Sequence, residues 1–205
     1  MLKRLRFAIL AIAALFIFSA FSSAEPRIDV YFGMGTMSVG AASPLEDAYG
    51  TLFLRPSLDG VFGTFGGAVM FKPSFGVGAE VSVRFRQGDY VFLGYRPVFY
   101  DFNAIWTPSL GMRIMPEFQA GFGGVRTSFY DASSPYYDYN TGRYSTLAAR
   151  SSHFQLHAGA GLRIYVTRRV FVRPQLDYHW VRNMWEFKSS SVPAYSLAIG
   201  WSSSE

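Results

Sequence analysis

Between His153 and Val166 every even-numbered residue is apolar: Phe154, Leu156, Ala158, Ala160, Leu162, Ile164 and Val166. The odd positions are His153, Gln155, His157, Gly159, Gly161, Arg163 and Tyr165. A period of two held this long describes a β-strand with one greasy face and one polar or small face; a helix would scatter the same residues around its circumference.

The pattern recurs from Phe75 to Arg86, where Phe75, Val77, Ala79, Val81, Val83 and Phe85 oppose Gly76, Gly78, Glu80, Ser82, Arg84 and Arg86. It continues in 112–122, with Arg113, Glu117 and Gln119 against Ile114, Phe118, Ala120 and Phe122, and in 170–183, with Arg173, Gln175, Asp177 and His179 against Val172, Leu176, Tyr178 and Trp180. Together these predict eight strands: 27–36, about 65–72, 75–86, 90–106, 112–130, 152–166, 170–184 and 192–201. Segment 51–60 is open among three readings: an extension of the second strand, a strand of its own, or a cover over one end of the sheet.

Alternation alone fits a soluble sandwich as well, so strand length and connections decide. A strand tilted ~45° advances roughly 2.3 Å per residue, and an apolar band ~25 Å tall therefore asks for about ten or eleven residues. Most of these segments reach that length, against about five or six in soluble proteins. Short joints at 73–74, 107–111 and 167–169 alternate with longer ones at 37–65, 131–152 and 185–191; only the outer joint near 87–89 is expected to be short. The reading is all-β: an eight-stranded antiparallel transmembrane β-barrel with a polar, side-chain-filled lumen. Tyr100, Trp106, Phe129, Trp180 and Trp201 are placed in its interfacial girdles.

The N-terminus agrees with export. Lys3, Arg4 and Arg6 precede the apolar run Phe7–Phe21 and the small residues Ser22, Ser23 and Ala24, the pattern of a signal peptide cleaved after Ala24. Residues 1–24 are expected to leave, and 25–205 to form one barrel domain. Three of the nineteen basic residues leave with it, so the formal charge of +5 gives no reason to expect nucleic acid. There is no cysteine, hence no disulfide and no thiol chemistry.

Pro97, Pro116 and Pro174 fall inside strands, where each removes a ladder donor. At Pro97 the parity is expected to break, Gly94 and Arg96 facing inward before it and Asp101 and Asn103 after it, with a bulge absorbing the change. A similar break is expected at Gly123-Gly124.

The segments Tyr95–Trp106 (YRPVFYDFNAIW), Pro116–Gly124 (PEFQAGFGG), 151–166 and Val192–Trp201 (VPAYSLAIGW) resemble small OmpA-type outer-membrane barrel proteins. The resemblance spans nearly all of 25–205. It implies a fold and a location in the cell outer membrane, and an assembly machinery that reads a terminal aromatic; here Trp201 ends the last predicted strand, with Ser202 to Glu205 following.

A turn centred on Arg168 sets His157 opposite His179, Gly159 opposite Asp177 and Arg163 opposite Arg173. Two histidines and a carboxylate suit a metal or acid–base chemistry, but no third strong ligand or helix-spaced motif accompanies them, and a hydrogen-bonded lumen plug is the simpler reading. Ser151-Ser152-His153 sets a hydroxyl beside an imidazole, though adjacent strand residues point to opposite faces. Inward arginines Arg84, Arg96, Arg113, Arg163 and Arg173 are expected to meet Asp29, Glu80, Asp101, Glu117 and Asp177. A turn at Gly88 would put Glu80 opposite Arg96. The lumen network is thus read as Glu80, Arg84, Arg96, Asp101, Glu117, Gln119, His157, Arg163, Arg173, Asp177 and His179, with no metal and no cofactor.

The segment 131–152 carries Tyr136, Tyr137, Tyr139 and Tyr144, residues suited to recognising proteins or glycans when a rigid scaffold presents them, or to covering the barrel mouth. Arg182 falls on the greasy face near an outer loop, within reach of lipid phosphates. The reading that follows is a non-catalytic structural or interaction barrel whose partners are outer-membrane lipid, the barrel assembly machinery and an extracellular protein or glycan. The alternatives are a narrow channel and a lipid-modifying enzyme.

Overall fold

The computed structural model describes residues 26–39, 45–46, 49–50, 52–53, 56–90, 93–108, 113–139 and 142–203. Segment 1–24, expected from the sequence to be a signal peptide, lies outside them. Eight long strands form the wall: β1 (Arg27–Met37), β2 (Val61–Lys72), β3 (Phe75–Arg84), β4 (Leu93–Trp106), β5 (Ile114–Tyr130), β6 (Leu147–Tyr165), β7 (Val170–Val181) and β8 (Ser191–Ser202). Each pairs antiparallel with its neighbour in sequence, and β1 pairs with β8, which closes the barrel.

Polarity runs inside out, as the alternation requires. Phe32, Phe65, Phe102, Phe122, Leu197 and Ile199 are all more than half exposed on the outer surface, whereas Asp29, Glu117, Arg163 and Arg173 are at most 1% exposed inside. The even residues from 154 to 162 face outward, and their odd neighbours face inward or are partly buried. Tyr100, Trp106, Trp180 and Trp201 stand on the outer surface. Phe129 does not: its odd position turns it inward, into the packing at the barrel mouth.

Short turns gather at one end. At 166–169 the Thr167 hydroxyl accepts hydrogen bonds from the Val170 and Arg169 amides at 3.0 and 3.3 Å, which fixes the turn and with it the β6–β7 register. That register sets His157 against His179 and Gly159 against Asp177, as the sequence suggests.

The β3–β4 joint differs from expectation. β3 ends at Arg84, and Gly88–Tyr90 then pairs with the start of β4, Gly88 with Tyr95 and Tyr90 with Leu93. The connection is therefore a longer outer arm, not a tight turn at Gly88. Glu80 consequently lies opposite Asp101, not Arg96.

No parity break occurs in β4 or at Gly123-Gly124. Odd residues of β4 from Tyr95 to Ile105 are all buried, and the β4–β5 register runs unbroken from Gly94–Tyr130 to Trp106–Phe118. The prolines are accommodated by gaps in pairing. Pro97 lies between the last β3–β4 pair, Val83–Val98, and the Gly88–Tyr95 pair. Pro116 lies beyond the end of the β4–β5 ladder, and Pro174 falls in an interruption of the β6–β7 ladder between Gly161–Gln175 and Ile164–Val172. Each keeps one neighbouring ladder, with Thr127, Leu162 and Leu197 respectively. A missing N–H costs little where no partner strand awaits it.

Candidate functional site

The barrel interior has three layers. Nearest the short turns, Glu117 on β5 bridges two arginines: it accepts from Arg163 Nε and, at 2.8 Å, from Arg173 Nε. Arg163 also donates to Asp29, whose other oxygen accepts from Ser202 Oγ at 2.6 Å. Arg173 donates to Glu80 Oε2 at 3.2 Å and to Gln119 Oε1 at 3.3 Å. The Tyr31 hydroxyl donates to the same Glu80 oxygen at 2.9 Å, and its ring lies 4.1 Å from the Arg173 guanidinium. The arginine fork suits this arrangement, because several donors leave one planar group in fixed directions.

In the middle layer His157 is held on both sides. Its Nδ1 lies 2.8 Å from Asn103 Oδ1 and 3.2 Å from Asp101 Oδ1, and its Nε2 lies 2.9 Å from Asp177 Oδ1. Asn103 Nδ2 donates to Asp101 at 2.6 Å, and Gln119 and Gln175 donate to Asp177. Gly159 makes room for this cluster, since a Cβ there would come within 2.2 Å of Asp177 Oδ1. The His179 ring stacks on His157 at 4.7 Å and 19°, with Phe99 at 5.4 Å on its flank. A lumen void lined by Thr64, Glu80, Ser82, Asp177 and His179 measures about 10 Å³, about the least that holds one water.

The outer end is closed by apolar packing. Leu58, Phe62, Tyr95, Phe99, Val125, Phe129, Met184 and Phe187 form one buried cluster. Leu58 places the 56–60 part of segment 51–60 at the mouth, while Leu52–Phe53 forms a small ladder with Leu45–Glu46. From the other side the 182–190 loop brings in Phe187 and Glu186; Glu186 Oε1 lies 2.8 Å from His153 Nε2.

Of the residues expected in the lumen network, Glu80, Asp101, Glu117, Gln119, His157, Arg163, Arg173, Asp177 and His179 are all buried there. Two are elsewhere. Arg84 sits at the mouth, donating to the carbonyls of Ser57 (3.2 Å) and Asp59 and lying 5.2 Å from the Tyr95 ring centroid. Arg96 is on the outer face of β4, opposite Ser128, because parity holds through Pro97. Arg113, also expected inside, is exposed just before β5. The sequence pattern does not point to Tyr31 or to the His153–Glu186 pair: Tyr31 lies at an odd position of a strand whose odd side also carries two glycines, and nothing local in sequence links a strand histidine to a loop glutamate.

Beyond the mouth, Tyr136–Asp138 pairs with Arg143–Ser145 in a projecting hairpin. Tyr137 packs edge-on against Tyr139 at 5.1 Å and Tyr144 at 5.3 Å, and Tyr139 and Tyr144 remain 90% and 77% exposed. At its base the Ser133 hydroxyl and amide donate to Asp131, at 2.6 and 2.9 Å, and hold that carboxyl below the usual carboxylate range. The tyrosines do not cover the barrel mouth; Leu58 and Phe187 do.

Solved structures share this architecture. The chain is similar to Ail, the attachment invasion locus protein of Yersinia pestis, at 16% identity and TM-score 0.52, covering 87% of this chain and 99% of that one. Neisserial surface protein A matches at 12% identity and TM-score 0.53, over 86% and 95% of the two chains. OprG of Pseudomonas aeruginosa matches at 11% identity and TM-score 0.55, over 91% and 99%. The fold is that of a small outer-membrane β-barrel. It is shared with several such proteins and is not specific to OmpA. No protein-family model matches the sequence, and no curated protein sequence matches it. Among the described residues no group of three or more His, Cys, Asp or Glu side chains is arranged to hold a metal ion.

Proposed function

We propose that this chain is a non-catalytic, OmpA-type barrel of the outer membrane, embedded in lipid by its apolar belt and presenting its outer loops to a partner. The observation that carries the reading is the reversal of polarity: an apolar outer wall around a packed ionic interior. In water that wall would be a large exposed hydrophobic surface; in hydrocarbon it is the favourable one. Export by a signal peptide cleaved after Ala24, and assembly by machinery reading the last strand near Trp201, belong to the same proposal.

A strip of arginines supports lipid as a partner. On four adjacent strands, β4, β5, β6 and β7, the first charged outward residue above the belt is arginine: Arg96, Arg126, Arg150 and, just past the end of β7, Arg182. Arg96 and Arg150 both pair with Ser128, Arg126 pairs with Ser152, and Arg182 donates its amide to Phe154. No acidic residue stands on the outward face of these four strands. Unanswered arginines at this height suit the phosphate groups of an anionic leaflet. The projecting tyrosine hairpin suits an extracellular protein or glycan.

Catalysis finds no support in the lumen, where both His157 nitrogens are engaged and the ring is shut in from both ends. The test is fractionation with heat-modifiable gel mobility. Recovery in the outer membrane, with a mobility shift on boiling and a mature N-terminus at Glu25, is the expected result; a water-soluble mature protein would overturn the reading.

A further inference from the structure

At the outer mouth, beside the apolar plug, lies a pocket of about 440 Å³, within the range typical of small-molecule sites. Tyr90, Leu93 and Phe129 supply apolar walls and Trp185, 67% exposed, stands at its lip. Ser151, Glu186 and the exposed Arg150 also line it.

The polar part of this lining is unusual. Glu186 is only 5% exposed, and its Oε1 is fixed by His153 at 2.8 Å, yet its Oε2 is shielded and has no hydrogen-bond partner among the described residues. Ser151 Oγ is shielded and without a partner in the same way. A buried acceptor left open costs free energy, and a carboxylate more than most. His153 and Ser151 are two apart on β6 and so project on the same side of the strand.

We infer that this pocket binds a small, largely apolar molecule whose polar end is an O–H or N–H donor, with Glu186 Oε2 accepting that hydrogen bond and Ser151 beside it. His153 is a positioning residue that holds the carboxylate in place. The apolar walls take the body of the ligand. The inference goes beyond a scaffold role, and it shares Arg150 with the arginine strip of the proposed function.

The experiment uses the full barrel in nanodiscs and two probes of nearly equal shape, 2-naphthol and 2-methoxynaphthalene, titrated calorimetrically with empty nanodiscs subtracted. Naphthol is expected to bind saturably at one site, and methoxynaphthalene, which has no donor, at least tenfold more weakly. Glu186→Gln should reduce naphthol affinity about tenfold and narrow the gap between the probes. Leu93→Trp, which fills the pocket and leaves Glu186 in place, should abolish saturable binding while heat-modifiable mobility is kept. Absence of saturable naphthol binding, equal affinity for the two probes, or unchanged affinity in Leu93→Trp would each overturn the inference.

Discussion

The guanidinium of Arg173 lies 4.1 Å from the centre of the Tyr31 ring, and the ring lies against Gly66, where a Cβ would come within 2.4 Å of it. The hydroxyl at the far end of that ring reaches Glu80. A glycine on β2 thus lets a β1 tyrosine span toward a β3 carboxylate and a β7 arginine. Gly66→Ala should push the ring away and destabilise the barrel by about 1–3 kcal/mol, as overpacking does. Tyr31→Phe, which removes a single hydrogen bond, should cost about 1 kcal/mol. Urea unfolding in micelles measures both, and a Gly66→Ala barrel as stable as the parent would contradict the packing.

Glu117 holds Arg163 and Arg173 together in a site closed to solvent. Glu117→Gln should cost on the order of 3–5 kcal/mol, because two buried cations lose their shared counter-charge. Glu80 and Arg173 should be coupled, with the double alanine variant losing less than the sum of the single losses by about 0.5–3 kcal/mol. Glu80 and Arg96 should be additive, since they stand on opposite sides of the wall. Coupling in the second pair and additivity in the first would restore the register expected from a turn at Gly88.

The β6–β7 half of the lumen was legible in sequence because the turn at 166–169 is tight and the strands keep one parity to its edge. His157, Asp177 and His179 could therefore be paired by arithmetic. Glu80 could not, because the Gly88–Tyr90 arm adds residues that no local pattern distinguishes from a short turn. The place of Arg96 is hidden for a related reason: Pro97 suggests a bulge, whereas the barrel leaves the ladder open there and keeps its parity. The mouth plug was out of reach, since Leu58 and Phe187 lie in irregular segments and meet only through the closed fold.

On the lipid face, Leu162→Arg should impair assembly, since a charge near the bilayer centre costs roughly 2–4 kcal/mol. Gly161→Ala is a poor control: its Cβ would lie 2.8 Å from the Pro174 carbonyl oxygen. Leu162→Val is the suitable one, and heat-modifiable mobility should be normal for it and reduced for Leu162→Arg. Equal assembly of the two would mean that this face does not meet lipid.

Replacing 132–145 by a short glycine-containing turn should leave unfolding and heat-modifiable mobility unchanged. The hairpin tyrosines lie outside the apolar cluster that plugs the mouth. Loss of barrel stability in this variant would show that the hairpin packs on the mouth instead of standing away from it.

Among the described residues, ion-paired side chains around a void of about 10 Å³ fill the lumen, and an apolar plug lies above them. Planar-bilayer recordings of the native barrel should therefore show no steady conductance. Large open-pore currents would contradict the sealed interior and favour a channel.

The central claim, an apolar wall facing lipid around an ionic interior, is tested most directly by spin-label accessibility along β6. The chain has no cysteine, so single cysteines at each position from 154 to 162 can be labelled without background. In liposomes, labels at 154, 156, 158, 160 and 162 should be quenched by dissolved oxygen and shielded from a water-soluble nickel chelate, with both signals alternating at a period of two. Nickel access at the even positions, or no alternation at all, would contradict it.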